Sequence, residues 1–231
     1  MDAKIIVLIP AYNEAESIHL VIQEIPSIVH TIIVVNNNST DATAQVATQA
    51  GVVVLHQPIK GYGNACLLGL QYIAQVHADA DIIVFLDGDY SDYPQELTNI
   101  VQPIIDNKAD FVIGARVAKW REQSAMTPQQ IFGNWLATTL MRIMYRATYT
   151  DLGPFRAITY SKLLLLHMQD TTYGWTVEMQ LKALKHKLNY TEIPVHYKKR
   201  IGISKVSGTV TGTIGAGYKI ISWILKYTFQ K

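Results

Sequence analysis

Two aspartates separated by one glycine, Asp87-Gly88-Asp89, follow directly on the apolar run Ile82 to Leu86. Acids spaced in this way at a strand end reach one point above the sheet edge. Holding both charges out of bulk water without a counter-ion is costly. A hard divalent cation, Mg²⁺ or Mn²⁺, removes that cost, because such ions take one or two carboxylates and complete their shell with substrate phosphates. The bland alternative is a solvated acidic turn, and the position right after an apolar strand argues against it. Further polar turns repeat the arrangement. In Pro10-Ala11-Tyr12-Asn13-Glu14 the proline closes a strand and Asn13 is placed to cap the next helix. Tyr12 offers a ring to a nucleobase and Glu14 a carboxylate to a ribose or base. The run Asn36-Asn37-Asn38-Ser39-Thr40-Asp41 carries amides that both donate and accept, as a base edge requires. In Lys60-Gly61-Tyr62-Gly63-Asn64 the glycines let backbone approach a ligand and Lys60 can meet phosphate. The Gly-Lys-Ser/Thr ending of a Walker loop is missing. Each turn alone reads as an ordinary strand–helix connection. Four in succession point to one ligand.

The elements that carry these turns are legible from periodicity. Apolar runs at Ile5–Pro10, Ile32–Val35, Val52–Leu55, Ile82–Leu86 and Phe111–Ile113 read as buried strands. Helical spacing separates them over 14–25, 41–50 (ended by Gly51) and 64–76. Continuous apolar strands alternating with helices predict an α/β fold with a mostly parallel sheet covered on both faces. Ligands of such sheets bind at the carboxyl ends of the strands, where the polar turns fall. After Arg116 the pattern changes. Residues 117–130 read as a mobile polar loop, a lid candidate. Helices are expected over 131–147, 163–168, 175–187 and 218–229, the last amphipathic, and strands over 155–160 and 190–197. Pro194 marks the 190–197 strand as an edge.

Composition bounds the remaining options. The 231 residues suffice for one large domain with a sizeable core. A net charge of +2 gives no field for nucleic acid. The basic cluster Lys198, Lys199, Arg200 and Lys205 reads by itself as a solvated patch. The single cysteine, Cys66, excludes an intrachain disulfide and points to a reducing compartment, the cytoplasm. Residues 1–10 show no features of a secretory signal, and no apolar run reaches the roughly 18 residues of a spanning helix. The seven histidines lack zinc-ligand spacing. Charged residues make up only 16%, so apolar surface is expected to meet a partner. The 218–229 helix, with Trp223, Tyr227, Lys219 and Lys226, suits peripheral contact with the inner face of a membrane or a second subunit.

Taken together, residues 4–116 resemble the donor-binding half of family 2 glycosyltransferases. The resemblance rests on IPAYNE at Ile9–Glu14, VVNNNSTDAT at Val34–Thr43, KGYGNA at Lys60–Ala65 and LDGDYSDYP at Leu86–Pro94. Thr150-Asp151 with Gly153-Pro154-Phe155-Arg156 is similar to the family's Thr-Asp…Gly-Phe-Arg segment. YKKRIGISKVSGT at Tyr197–Thr209 resembles the basic segment of its polyprenyl-phosphate sugar transferase branch. The resemblance implies one domain of GT-A fold, with residues 1–116 as the nucleotide-sugar half and 117–231 as the acceptor-side half. It implies an inverting transfer from a nucleotide-diphosphate sugar to an acceptor, a polyprenyl phosphate in that branch. Pro10, Ala11, Tyr12, Glu14, Asn37, Lys60, Gly61 and Gly88 would line the donor site, and Asp87 and Asp89 would hold the metal. Arg116, Arg156, Arg200 and Lys205 would balance phosphate charge. Asp151 would face the reacting sugar. For a hydroxyl acceptor Asp151 and Glu178 are the candidate bases, Glu178 being alternatively a helix-surface partner of Lys182. Three departures from the family pattern bear on specificity: Asn36-Asn37 for Asp-Asp, Ser91 for a Gln near the metal, and Gly153-Pro154 for Ser-Gly. A nucleotidyltransferase would need a glycine-rich basic loop after the first strand, which is absent here. A non-catalytic nucleotide-sugar-binding module is the reading from another class.

Overall fold

The structure, a computed structural model, describes residues 3–202 and 210–229, and at 210–216, 228 and 229 the backbone alone. Seven strands form one sheet in the order β3-β2-β1-β4-β6-β5-β7. They are β1 (Ile5–Ala11), β2 (Val29–Asn36), β3 (Val53–His56), β4 (Ile82–Phe85), β5 (Phe111–Ala115), β6 (Arg156–Thr159) and β7 (Tyr190–Pro194). The pairs β1–β2, β1–β4, β2–β3 and β5–β7 are parallel. β6 runs antiparallel between β4 and β5. Both halves of the chain therefore build the same sheet, and β7 closes one edge, as Pro194 predicts.

Strand alternation divides the core in two. Ile6 and Leu8 of β1 face a cluster with Cys66 of α3 (Tyr62–Val76), Met141 of α5 (Pro128–Tyr145), Leu163 of α6 (Tyr160–Leu166), Leu181 of α7 (Trp175–Lys185) and Trp223 of α8 (Val210–Phe229). Ile5, Val7 and Ile9 face Val21 of α1 (Ile18–Glu24), Ala47 of α2 (Thr43–Gln49) and Ile100 of α4 (Leu97–Ile105). The mostly parallel sheet clad on both faces is the architecture the alternation predicts.

Several boundaries differ from the sequence reading. Asn13 caps no helix. It adopts a left-handed φ of 56°, and its side-chain oxygen accepts from the Thr40 amide at 2.8 Å, tying the first turn to the second. α1 accordingly starts only at Ile18. The 117–130 stretch is strapped rather than free. The Tyr197 amide donates to the Trp120 carbonyl (3.1 Å), the Glu122 amide to the Tyr197 carbonyl (2.8 Å), and the Trp120 ring stacks on His196 at 4.8 Å. From Pro128 it is already helix, with a Thr127–Gln130 capping box. α8 begins at Val210 rather than Tyr218. Among the described residues no helix is long and apolar enough to cross a membrane.

Candidate active site

The turns after β1, β2, β3, β4 and β5 meet at the carboxyl edge of the sheet in a cleft of about 450 Å³. Pro10, Ala11, Tyr12 and Glu14 form one wall, with Asn37, Lys60 and Gly61 beside them. Asp87, Gly88 and Asp89 form the floor, and Arg116 and Arg200 lie opposite. α5 contributes Gln130, Gly133 and Asn134, and α8 contributes Gly217 and Ile220.

The two acids on the floor are held differently. Asp87 accepts from the Tyr62 hydroxyl at 3.1 Å. Its carboxyl is raised to about 7 by burial and then by the charge of Asp89. Asp89 is buried; one oxygen accepts from the Ser91 amide (2.9 Å) and hydroxyl (2.6 Å), and the other meets Arg200 at 2.6 Å. Ser91 thus holds the carboxylate of Asp89 in place through two hydrogen bonds. Asp92 deepens the charge deficit. It is buried, neither carboxyl oxygen has a hydrogen-bond partner among the described residues, and burial followed by Asp87 and Asp89 pushes its pKa well up. Sequence reading missed Asp92 and gave Tyr62 no role; the acid's spacing in DGDYSD was the available signal.

Lys60 reaches over Tyr12, its ammonium 2.7 Å from the hydroxyl and 4.5 Å from the ring centre. Asn37 lines the cleft, yet its amide is engaged by the loop after β3: it donates to the Ile59 carbonyl and accepts from the Gly61 amide, both at 2.8 Å. The glycines of that loop make a close backbone contact that the sequence reading did not foresee. A Cβ on Gly61 would lie 2.2 Å from the Thr171 carbonyl oxygen, and one on Gly63 would lie 1.9 Å from that of Asp170. They let the loop press against 170–171 backbone, and Gly61 also lines the cleft.

The family model for glycosyl transferase family 2 matches residues 6–164. The chain belongs to glycosyltransferase family 2. An uncharacterized glycosyltransferase of Mycobacterium tuberculosis is 32% identical over 222 residues, covering 94% of this chain and 97% of its own. An undecaprenyl-phosphate mannosyltransferase of Micrococcus luteus is 27% identical over 222 residues, 90% of each chain. A UDP-N-acetylglucosamine–dolichyl-phosphate N-acetylglucosaminyltransferase of Methanococcus voltae is 27% identical over 217 residues, 84% of this chain and 85% of its own. Glucosyl-3-phosphoglycerate synthase from Mycobacterium tuberculosis, solved with Mn²⁺, uridine diphosphate and glucosyl-3-phosphoglycerate, superposes with a TM-score of 0.76. It is 20% identical and covers 97% of this chain and 80% of that one. The likeness shows a shared GT-A fold.

In this family 2 glycosyltransferase three expected site residues stand elsewhere. Asp151 does not face the cleft. It grips Arg116 as a fork, with Nε to Oδ2 at 2.8 Å and Nη2 to Oδ1 at 2.7 Å, and also accepts from the Arg116 amide. Burial would raise this carboxyl, but the guanidinium and its hydrogen bonds outweigh burial and hold it below the ordinary value. Glu178 is fully buried on α7, neither on the helix surface nor at the cleft. It accepts from the Asp170 amide at 2.8 Å and pairs with Lys182 at 2.7 Å. Arg156 is fully buried too and is not among the residues that line the cleft. Its Nε donates to the Gly153 carbonyl, Nη1 to Thr176 and Nη2 to Leu152, at 3.0 to 3.1 Å. Burial pushes its pKa down to about 10. Lys205 lies outside the described residues.

Proposed function

We propose that this glycosyltransferase moves a sugar, with inversion, from a nucleoside-diphosphate sugar to a lipid phosphate. The observation that carries the reading is the convergence of Asp87, Asp89, Arg116 and Arg200 in one cleft with a largely apolar far side. The floor fits a divalent cation. Asp89 pairs with Arg200, while Asp87 and Asp92 have no ion-pair partner among the described residues. Such a site suits an ion that takes its other ligands from a diphosphate. Asp87 and Asp89 would hold it, and when bound it would neutralise the departing diphosphate. That the fold neighbour was solved with Mn²⁺ and uridine diphosphate supports this reading.

In the reaction an acceptor oxygen forms a bond to the anomeric carbon while the bond from that carbon to the donor's diphosphate oxygen breaks. The electron pair leaves with the nucleoside diphosphate, and attack opposite the leaving group inverts the centre. Arg200 and Arg116 meet the charge that develops on phosphate oxygens. A hydroxyl acceptor would need a base. The two candidates are otherwise engaged, Asp151 with Arg116 and Glu178 with the 169–170 backbone. A phosphate monoester, with a second pKa of about 6, arrives already ionised. That argument and the two relatives named for polyprenyl- or dolichyl-phosphate acceptors support the lipid phosphate. C-terminal helix contact with a membrane belongs to the same reading.

The test is a thermal-shift screen of nucleotide sugars with and without Mn²⁺ or Mg²⁺, followed by transfer onto undecaprenyl phosphate. One donor should raise the melting temperature only with metal, by mass action on the folded state. Asp89→Ala should stay folded and lose both that shift and turnover. Wild-type turnover in Asp89→Ala would end the metal assignment.

A further inference from the structure

The acceptor side of the cleft holds two glycines that local structure does not require. Gly133 lies inside α5 and Gly217 inside α8, and both line the cleft. A helix-interior glycine costs conformational entropy relative to alanine, so a reason for it is expected. Other described glycines show one: Gly69 sits against Leu8, Gly63 against the Asp170 carbonyl, and Gly51 has a φ of 77°. Neither Gly133 nor Gly217 has positive φ, and among the described residues a Cβ on either would meet no heavy atom within 4 Å. The space beside them is open.

The helices that carry these glycines pack on each other and on the apolar core. Within the cleft the neighbouring surface joins apolar Met126, Leu152 and Ile220 to the amides of Gln129, Gln130 and Asn134, and Arg116 and Arg200 lie in the same lining. Outside the cleft the apolar character continues. Phe132 and Trp135 on α5 are 60% and 58% exposed with ring centres 5.8 Å apart, and Tyr218 on α8 is 73% exposed. A ligand complementary to this surface has an anionic head and a long apolar tail.

Resting on the reading that the acceptor is a lipid phosphate, we infer that its hydrocarbon chain runs between α5 and α8 through a slot kept open by Gly133 and Gly217. The phosphate oxygen then meets the anomeric carbon beside the arginines, and the chain leaves along the Phe132–Trp135 and Tyr218 surfaces. The two glycines determine specificity: their missing side chains set which acceptors enter.

The experiment compares kcat/KM for farnesyl phosphate and butyl phosphate, both below micelle-forming concentrations, with the donor and metal found in the screen. The ratio is internally controlled, because a folding or donor-site defect lowers both arms together. Wild type should favour farnesyl phosphate, by about fourfold for each additional methylene buried. Gly133→Leu and Gly217→Leu should cut that preference roughly tenfold or more, the scale on which an apolar pocket discriminates. Gly133→Ala and Gly217→Ala should cut it less while raising the melting temperature, since alanine favours helix and meets nothing; they decide the matter if the leucine variants do not fold. An unchanged ratio in the folded variants overturns the slot. Wild type that uses both phosphates equally overturns the slot and leaves the phosphate-acceptor reading standing. Wild type that binds donor with metal but transfers to neither phosphate overturns that reading and the slot with it.

Discussion

Arg116 owes its place to Asp151, and that pairing defines what a change at Asp151 does. Both side chains are at most 10% exposed. Removing one charge leaves the other buried and unpaired, which costs about 3–5 kcal/mol. Asp151→Asn is therefore expected to lower stability on that scale in urea unfolding. It should also lower kcat/KM roughly 10²-fold through misplacement of the guanidinium. A loss that rescaled with pH as a base would, with stability intact, would contradict the positioning role. Asp87 makes a second prediction. Its folded pKa is raised to about 7 from the ordinary 3.8, so the folded state holds a proton that the unfolded chain releases. Its stabilising contribution is complete below about 3.8 and lost as pH climbs toward 7. In chelator-treated protein the melting temperature of wild type should fall, relative to Asp87→Asn, across that window; a difference independent of pH would refute it. The acids on the floor and the first-turn residues were legible because a strand end fixes where the next few side chains point, so acids one residue apart there converge above the sheet edge. Arg156 and Glu178 were not legible. A sequence cannot distinguish a guanidinium that faces phosphates from one that faces backbone carbonyls, nor a carboxylate at a site from one that holds backbone amides.

At the scale of elements, the segment from His167 to Gly174 is the junction between the donor loop and the C-terminal helix. Asp170 accepts from the Thr172 and Gly174 amides through one oxygen (2.7 and 2.9 Å) and from the Trp223 indole of α8 through the other (2.7 Å). On its far side the Asn64 amide donates to the Thr171 carbonyl and that of Gly63 to the Thr172 carbonyl. Asp170→Ala leaves several buried donors without a partner at about 1–3 kcal/mol each. The expected loss is roughly 3 kcal/mol or more in urea unfolding, together with weaker nucleotide binding; a loss under about 1 kcal/mol would show the junction to be unimportant. None of this could be foreseen, because a junction is a meeting of segments far apart in the chain. The strands were legible because β1 to β5 are short, apolar and bounded by polar turns. α4 was not identified: it is nine residues long and carries Pro103, a helix breaker by rule, here inside the helix. α1 was read too long because Asn13, a good cap by type, instead ties two turns together.

At the scale of the whole molecule, the antiparallel insertion of β6 sets the limits of dissection. Among the described residues β5 pairs with β6 and β7, both later in the chain. A fragment of residues 1–116 would leave β5 without a partner and β4 with a bare apolar edge. It is expected to give an aggregated or molten product by far-UV circular dichroism and gel filtration; a cooperative thermal transition in that fragment would show otherwise. The parallel sheet was predictable from alternation, but which strand sits beside which was not, since pairing is decided by contacts distant in sequence. The same insertion has a consequence in time. During synthesis β4, Ile82 to Phe85 and fully buried when folded, waits for a neighbour that ends at Thr159. At about 5–20 residues per second the ribosome needs roughly 4–15 s to bridge that interval. For that time the nascent chain exposes the kind of edge that recruits other strands. Slow codons between the two strands should lengthen the exposure, and a chaperone that covers emerging apolar segments has most to do there.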